Sequence, residues 1–280
     1  MAELRPLLHG LVFPEGPRWH DGKLWFSDMH AHEVRSVDLD GHAEMVVEVA
    51  TWPSGLGWLP DGTLLIVSMT DRKLLRYSSG QLQVHADISQ LASFYCNDMV
   101  VDGHGRAYVG NFGFDFFSGS AQKSAELVLV EPDGSARVAA TGLDFPNGSV
   151  VTPDGKTLIV GESLGHRLTA FHIEDDGSLV NQSIWAGLGD AVPDGIALDA
   201  ENGIWVASPL SRELLYVEQG GKISRRIPCD SMPIACALGG PARKTLFVPL
   251  SNSINPDECR AKRTARIDVM DVAIAGAGWP

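Results

Sequence analysis

Oxygen-bearing side chains recur at matching places along the chain, each at the start of a short apolar run. The six positions are Glu15, Ser54, Asn97, Asn147, Asp194 and, with an apolar side chain, Ile234. Carboxylates that lie close together repel unless a cation or protons intervene, and carboxylate and amide oxygens suit hard cations such as Ca²⁺, Mg²⁺ and Mn²⁺. If the fold brings these positions together, they predict a divalent cation site. Taken singly, Asn147 and Asp194 before glycine are also ordinary turn formers.

The elements that must position these residues form a repeat with a spacing of roughly 40 to 50 residues. In the fourth copy, residues 150–152 predict a short strand, residues 153–156 a turn and residues 157–160 a second strand. Turns such as Asp154-Gly155 supply the positive φ that a tight hairpin needs. Two further strands follow in most copies. The sequence therefore predicts an all-β fold, a six-bladed β-propeller of four-stranded antiparallel blades.

Closure of the ring is also predicted. Residues 4–11 precede Phe13-Pro14-Glu15-Gly16 just as residues 136–143 precede Phe145-Pro146-Asn147-Gly148. The last copy has a third strand at residues 265–272 and no fourth. We expect the N-terminal strand to complete blade six, which removes an open sheet edge and gives one propeller domain over residues 1–280.

One face of the propeller is the expected location of the chemistry. The starts of the innermost strands and the loops between second and third strands share that face, so the six positions converge around the central axis. The third copy places a loop there, residues 111–119, which carries four phenylalanines. These predict an apolar wall or lid over the site. The alternative is that two or more of them pack beneath the loop.

Charge and composition exclude several classes of function. The formal net charge of −13 argues against a nucleic-acid or anionic-membrane surface, because phosphate binding needs clustered Lys and Arg. The basic run at residues 260–263 is expected to be a solvated loop. Residues 1–11 lack the features of a signal peptide, and no run approaches the ~20 apolar residues of a membrane span. We expect a cytoplasmic protein. The four cysteines show no CxxC spacing, which argues against zinc-finger and thioredoxin-like sites.

The polar positions lie within short motifs whose order and spacing are similar to those of a known protein family. The motifs are Phe13-Pro14-Glu15-Gly16-Pro17, Asn97-Asp98, Phe145-Pro146-Asn147-Gly148, Gly161-Glu162-Ser163 and Pro193-Asp194-Gly195-Ile196. Together they resemble the senescence marker protein-30, gluconolactonase and regucalcin family over essentially the whole chain. The resemblance implies a six-bladed propeller with lactonase activity. It also implies Glu15, Asn147 and Asp194 as metal ligands, Asp194 as proton acceptor and Asn97 as a residue that contacts substrate or metal.

One position departs from the pattern of that family. Sugar-lactone members often carry an arginine two residues before the equivalent of Asn97, where this chain has Tyr95. The chain therefore lacks that donor to polyol hydroxyls. We expect Asn97, Tyr95, Phe112 and Phe114 to contact a lactone or ester less polar than gluconolactone.

The predicted reaction is the metal-dependent opening of a small-molecule lactone. The metal polarises the carbonyl, and Asp194 accepts the proton of the attacking water. One divalent cation is expected, calcium first, with manganese, magnesium, zinc and iron as alternatives. Phosphotriester hydrolysis, or calcium binding without turnover, would fit the same site. No nucleic-acid or membrane partner is expected, and the chain is expected to be a monomer or a weak homodimer.

Overall fold

The repeat folds into a ring of six antiparallel sheets in the computed structural model, which describes residues 3–277. An N-terminal strand, β1 (Arg5–Leu11), precedes the first blade. Blade one contains β2 (Pro14–His20), β3 (Lys23–Asp28), β4 (Glu33–Val37) and β5 (Ala43–Glu48). Blade two contains β6 (Pro53–Trp58), β7 (Leu64–Ser68), β8 (Lys73–Ser78) and β9 (Gln81–Asp87). Blade three contains β10 (Cys96–Val101), β11 (Ala107–Asn111), β12 (Ala125–Val130) and β13 (Ala136–Leu143).

The second half of the ring repeats this arrangement. Blade four contains β14 (Pro146–Val151), β15 (Thr157–Glu162), β16 (Arg167–Ile173) and β17 (Leu179–Gly187). Blade five contains β18 (Ile196–Leu198), β19 (Ile204–Ser208), β20 (Glu213–Val217) and β21 (Ile223–Pro228). Blade six has an interrupted innermost strand, β22 (Met232–Pro233) and β23 (Ala237–Gly239), followed by β24 (Thr245–Ser251) and β25 (Ala265–Asp271). The predicted fold, a six-bladed propeller, is confirmed.

The N-terminal strand closes the ring as predicted. Strand β1 pairs antiparallel with β25, with Arg5 opposite Val269 and Leu11 opposite Ala265. It thus supplies the outermost strand of blade six, and the innermost strands of blades one and six are in contact. Joining the first and last blades covers the edge that β25 would otherwise expose. No helix among the described residues is long and apolar enough to cross a membrane.

Burial falls from the axis of the ring outwards. The innermost strands β6 and β10 are buried at every residue, whereas the outermost strands β5 and β9 are mostly half-buried or exposed. The hydrophobic clusters lie between neighbouring blades; one joins Leu65 and Val67 of blade two to Val101 and Val109 of blade three. Each blade therefore depends on its neighbours for a core, as expected of stacked repeats.

Glycines bring the innermost strands close together at the level of the six polar positions. A Cβ on Gly148 would lie 2.6 Å from the carbonyl oxygen of Asp194 in the next blade. Likewise, a Cβ on Gly16 would lie 2.6 Å from the carbonyl oxygen of Ser54. Only a residue without a side chain allows the next blade's backbone to approach this closely. The glycine after a polar position therefore sets how near the polar side chains of neighbouring blades come.

The basic run at residues 260–263 was wrongly predicted as a loop. It falls largely within a short helix, α1 (Pro256–Lys262), between β24 and β25. Oδ1 of Asn255 accepts hydrogen bonds from the amides of Asp257 (3.0 Å) and Glu258 (3.1 Å), and Pro256 occupies the first turn. These are standard signals for a helix start. The segment still lies between the second and third strands, on the face where the chemistry was expected.

Candidate active site

Four of the predicted residues meet in one cavity at the axis of the ring. Glu15 lies in β2, Asn97 in β10, Asn147 in β14, and Asp194 two residues before β18. All four line a cavity of about 190 Å³. Glu15, Asn97 and Asn147 are buried, and Asp194 is half-buried. Four positions that are far apart in the sequence, with 47 to 82 residues between one and the next, thus form the floor of a single site, because each occupies the same place in its blade.

The two carboxylates of the floor disfavour each other's charge. Burial raises the pKa of Glu15 well above its usual range, and the negative charges of Asp194 and Asp98 raise it further. Burial also raises the pKa of Asp194, to about 8, although a hydrogen bond from Asn147 opposes the shift. Protons or a cation must therefore accompany this pair near neutral pH.

The amides of the floor are oriented by hydrogen bonds to neighbouring blades. Nδ2 of Asn147 donates to Oγ of Ser163 at 3.3 Å, and Oγ of Ser163 donates in turn to the carbonyl of Pro193 at 2.7 Å. Nδ2 of Asn97 donates to the carbonyl of Pro146 at 3.4 Å. One hydrogen of each Nδ2 is thus engaged, and the Oδ1 atoms are the atoms of these amides that can serve as ligands. Two carboxylates and two amide oxygens form a donor set that fits a hard divalent cation.

An ion pair lies beside the carboxylates. Nη2 of Arg18 donates to Oδ1 of Asp98 at 2.8 Å, and both side chains are largely buried. Oδ1 of Asp98 also accepts a hydrogen bond from the amide of Met99 at 2.8 Å. Asp98 is therefore held by protein partners, while its charge raises the pKa values of Glu15 and Asp194. The positive charge of Arg18 partly offsets this effect at Glu15.

Apolar side chains form the walls above this floor. Phe112, Phe116 and Phe117 from the loop between β11 and β12 line the cavity. Phe112 stacks on Phe145 with ring centroids 4.3 Å apart. The remaining apolar lining comes from loops of all the other blades: Phe13, Met29, Met69, Leu164, Val192, Pro209, Leu210 and Ile254. The aromatic loop thus supplies a wall to the cavity.

Two predicted substrate contacts lie outside the cavity lining. Phe114 is buried and packs against Phe145, with ring centroids 6.2 Å apart, so it supports the wall from behind. Tyr95 stacks on Phe94 at 4.3 Å, and its carbonyl accepts a hydrogen bond from the amide of Phe112 at 3.0 Å. Both residues position Phe112 or its neighbours. Their predicted contact with substrate is not supported by this placement.

His30 lines the cavity, although a lone histidine in a loop of this face is expected from the sequence to be solvated. It lies in the turn between β3 and β4, where its ring is 4.9 Å from that of Phe13 and 4.8 Å from that of Trp52. Burial lowers the pKa of His30 to about 4, so the imidazole is neutral near pH 7. Nδ1 has no hydrogen-bond partner among the described residues. Only the assembled ring shows that this histidine is buried rather than solvated.

A second group of metal-ligand types lies on the opposite face. Among residues 3–277, Asp38, Asp40 and His42 bring ligand atoms within 4.8 Å of one another at the exposed hairpin between β4 and β5. Oδ1 of Asp38 accepts hydrogen bonds from the amides of Asp40 and His42, each at 2.9 Å. These bonds are the usual means by which aspartate closes a turn, so the group is explained by the hairpin.

Comparisons with known proteins identify the family and agree with the fold. Residues 13–252 match the family model described as SMP-30/Gluconolactonase/LRE-like region. The chain belongs to this family. Among the curated relatives, lactonase drp35 of Staphylococcus haemolyticus is 26% identical over 235 residues, which cover 78% of this chain and 68% of that protein.

Solved structures of two further relatives share the architecture. Regucalcin from Agrobacterium tumefaciens, described as a calcium-binding protein, superimposes with a TM-score of 0.81 at 20% identity, covering 99% of this chain and 94% of that one. A gluconolactonase from Xanthomonas campestris gives a TM-score of 0.76 at 21% identity, covering 97% and 90% of the two chains. At these sequence identities the similarity shows a shared fold only.

Proposed function

We propose that this protein is a divalent-metal-dependent hydrolase that opens lactones. The observation that carries the proposal is the pair of carboxylates, buried Glu15 and half-buried Asp194, at the floor of an apolar cavity in a chain of the SMP-30/gluconolactonase family. Two neighbouring carboxylates whose pKa values are both raised do not favour stability, and raised pKa values are common at functional sites. Membership of a family whose relatives are named lactonases supports the assignment of ester chemistry to this floor.

Glu15, Asn147 and Asp194 would hold the cation, for which calcium is the first candidate. When bound there, a divalent cation supplies Lewis-acid polarisation of a carbonyl and a lowered pKa for a bound water. The two carboxylates neutralise its charge. The Nδ2 of Asn147 donates to Ser163, so Oδ1 is the atom that Asn147 would offer to the cation.

The chain's own groups then move the protons of the reaction. Asp194 is half-buried, so it can accept the proton from the attacking water as the water oxygen bonds to the lactone carbonyl carbon. The ring C–O bond breaks, and the leaving alkoxide oxygen takes that proton back from Asp194, which gives the open hydroxy acid. Asn97 retains a second Nδ2 hydrogen beyond the one donated to Pro146, which could stabilise the developing oxyanion.

The cavity favours a substrate less polar than gluconolactone. Its polar side chains are those of the floor, Ser163 and His30, whereas Phe112, Phe145 and Met69 are among the apolar walls. A polyol would leave hydroxyls unpaired against such walls, which costs roughly 1–3 kcal/mol for each. A kcat/KM for gluconolactone equal to or higher than that for aliphatic and aromatic lactones would refute this substrate assignment.

Replacement and chelation test the chemistry. Asp194→Ala should lower kcat by about 10²- to 10⁴-fold, the usual contribution of a positioned base, while leaving the circular dichroism spectrum unchanged. A chelator should silence the wild-type enzyme, and added calcium should restore it. Activity like that of the untreated wild type in both tests would contradict the proposal. Phosphotriesters assayed beside the lactones show whether P=O rather than C=O is the preferred group.

A further inference from the structure

The mouth of the cavity is surrounded by apolar side chains that are exposed to solvent. Leu210 is 77% exposed, Ile254 49%, Phe117 45% and Phe116 39%. All four line the same cavity as Glu15 and Asp194. We refer to these four residues as the apolar rim. Soluble proteins tend to expose such side chains singly, and a contiguous group commonly marks a binding site.

The apolar rim is assembled from three blades. Phe116 and Phe117 come from the loop after β11, Leu210 from the turn between β19 and β20, and Ile254 from the segment that leads into α1. The other exposed large apolar side chains among the described residues sit apart: Leu39 lies in the hairpin between β4 and β5 on the opposite face, and the rest lie on the outermost strands of four blades, Met45, Val84, Val138 and Ile184. Convergence at the mouth is therefore specific to this face of the ring.

The aromatic half of the rim is held in place by packing. The ring of Phe116 lies 5.5 Å from that of Phe145, and the ring of Phe117 lies 5.8 Å from that of Trp52. The loop closes on itself through hydrogen bonds from the amide of Ser120 to the carbonyl of Asp115 and from the amide of Ser118 to Oδ1 of Asp115, both 3.1 Å. These contacts fix an apolar surface before any ligand arrives, which lowers the entropy cost of binding.

The size of the cavity indicates what occupies the rim. At about 190 Å³ it is smaller than the roughly 300–1,000 Å³ of sites that enclose a whole ligand. A lactone ring at the floor therefore places any ring substituent at the mouth. The lining of the mouth is continuous with the catalytic floor, so the substituent and not a separate ligand is its natural occupant.

We propose that the apolar rim is a subsite for an apolar substituent on the lactone ring, and that Phe117 and Leu210 determine specificity for it. The substrate class is thus a lactone whose ring carries an alkyl chain of several carbons. This inference rests on the proposed lactonase function. It goes further by assigning the part of the substrate that does not react.

A homologous series tests the subsite. The substrates are an unsubstituted δ-lactone and its propyl and hexyl derivatives, assayed for kcat/KM. The corresponding lactams, which resist hydrolysis, are titrated by calorimetry. Each methylene that leaves water for the rim should raise both kcat/KM and lactam affinity by about 2- to 4-fold, from ~0.8 kcal/mol for a fully buried methylene. Values that do not change with chain length would overturn the proposal.

Rim variants give a second and independent measurement. Phe117→Ser and Leu210→Ser should each lower the hexyl-to-unsubstituted ratio of lactam affinities several-fold. Ile184→Ser, an equally exposed apolar residue on β17, is the matched control and should preserve the ratio. Ratios in the rim variants equal to that of the control would overturn the subsite.

The two measurements separate the possible failures. Chain-dependent lactam binding without hydrolysis of any lactone would contradict the proposed function and leave the subsite standing. Hydrolysis of lactones at a kcat/KM that does not depend on the length of the alkyl substituent would support the proposed function and overturn the subsite. A dimer in sedimentation experiments that both serine variants dissociate, with no chain dependence, would assign the rim to a second copy of the chain and overturn the proposal.

Discussion

Neutralising Asp194 should stabilise the metal-free protein at alkaline pH. Its carboxyl has an ordinary pKa of 3.8 in the unfolded chain and a raised one of about 8 in the folded chain. A group with a raised folded-state pKa binds its proton more tightly in the folded state. Its contribution to stability is therefore complete below about pH 4 and is lost as the pH rises to about 8.

The magnitude follows from the size of the shift. A change from 3.8 to about 8 corresponds to an upper limit of ~6 kcal/mol, at ~1.4 kcal/mol per pKa unit. Asp194 is half-buried, and solvent in the cavity screens its charge, so we expect about 2–4 kcal/mol. The asparagine side chain of Asp194→Asn cannot ionise, so this variant does not lose stability by this route as the pH rises.

The assay is urea unfolding followed by tryptophan fluorescence in the presence of a chelator. At about pH 4 the wild type and Asp194→Asn should have similar free energies of unfolding, and at about pH 9 the variant should be the more stable. Calcium should raise the free energy of unfolding of the wild type at the higher pH and have little effect on that of the variant. Asp190→Asn, which removes an exposed carboxylate from the same segment, is the control. A wild type whose metal-free stability rises from about pH 5 to about pH 9 would refute the reasoning.

Three further predictions concern the surroundings of the floor. The imidazole resonances of His30 should not titrate between about pH 5.5 and pH 8 by NMR, because burial lowers its pKa to about 4; a midpoint near 6.5, the ordinary value, would contradict its burial. Glu162→Gln should destabilise the fold by about 3 kcal/mol with little change in kcat, since the buried carboxylate accepts hydrogen bonds from Arg167, Thr169 and the amide of Asp144, and an amide cannot accept them all; a large loss of kcat without loss of stability would show a direct catalytic role instead. Gly148→Ala should weaken calcium binding and lower stability by about 1–3 kcal/mol, whereas Gly187→Ala, with no atom within 4 Å of its added Cβ, should do neither; calorimetry and thermal unfolding check this pair.

The architecture was predictable because local chemistry repeats. Asp-Gly turns fix the hairpins, and the glycine after a polar position fixes how closely innermost strands approach. Both features are visible as residue types at a regular spacing. The meeting of Glu15, Asn97, Asn147 and Asp194 follows from that regularity, since equivalent places in a closed ring must face the same axis.

The walls and mouth were less predictable because their positions depend on contacts between blades. Phe112 lines the cavity and Phe114 does not, although they are two residues apart in the same loop. Leu210 and Ile254 lie in short connections whose sequences carry no periodic signal. Helix α1 did carry a local signal in Asn255-Pro256, which the repeat pattern obscured.

The decisive measurement is a crystal structure of the protein grown with manganese or calcium, with the ion located by anomalous scattering. We predict a single strong peak at the floor of the cavity, within coordinating distance of Glu15, Asn147 and Asp194. A peak at the hairpin of Asp38, Asp40 and His42, with Glu15 and Asp194 joined only by protons or water, would contradict the proposed metal site and the mechanism that depends on it.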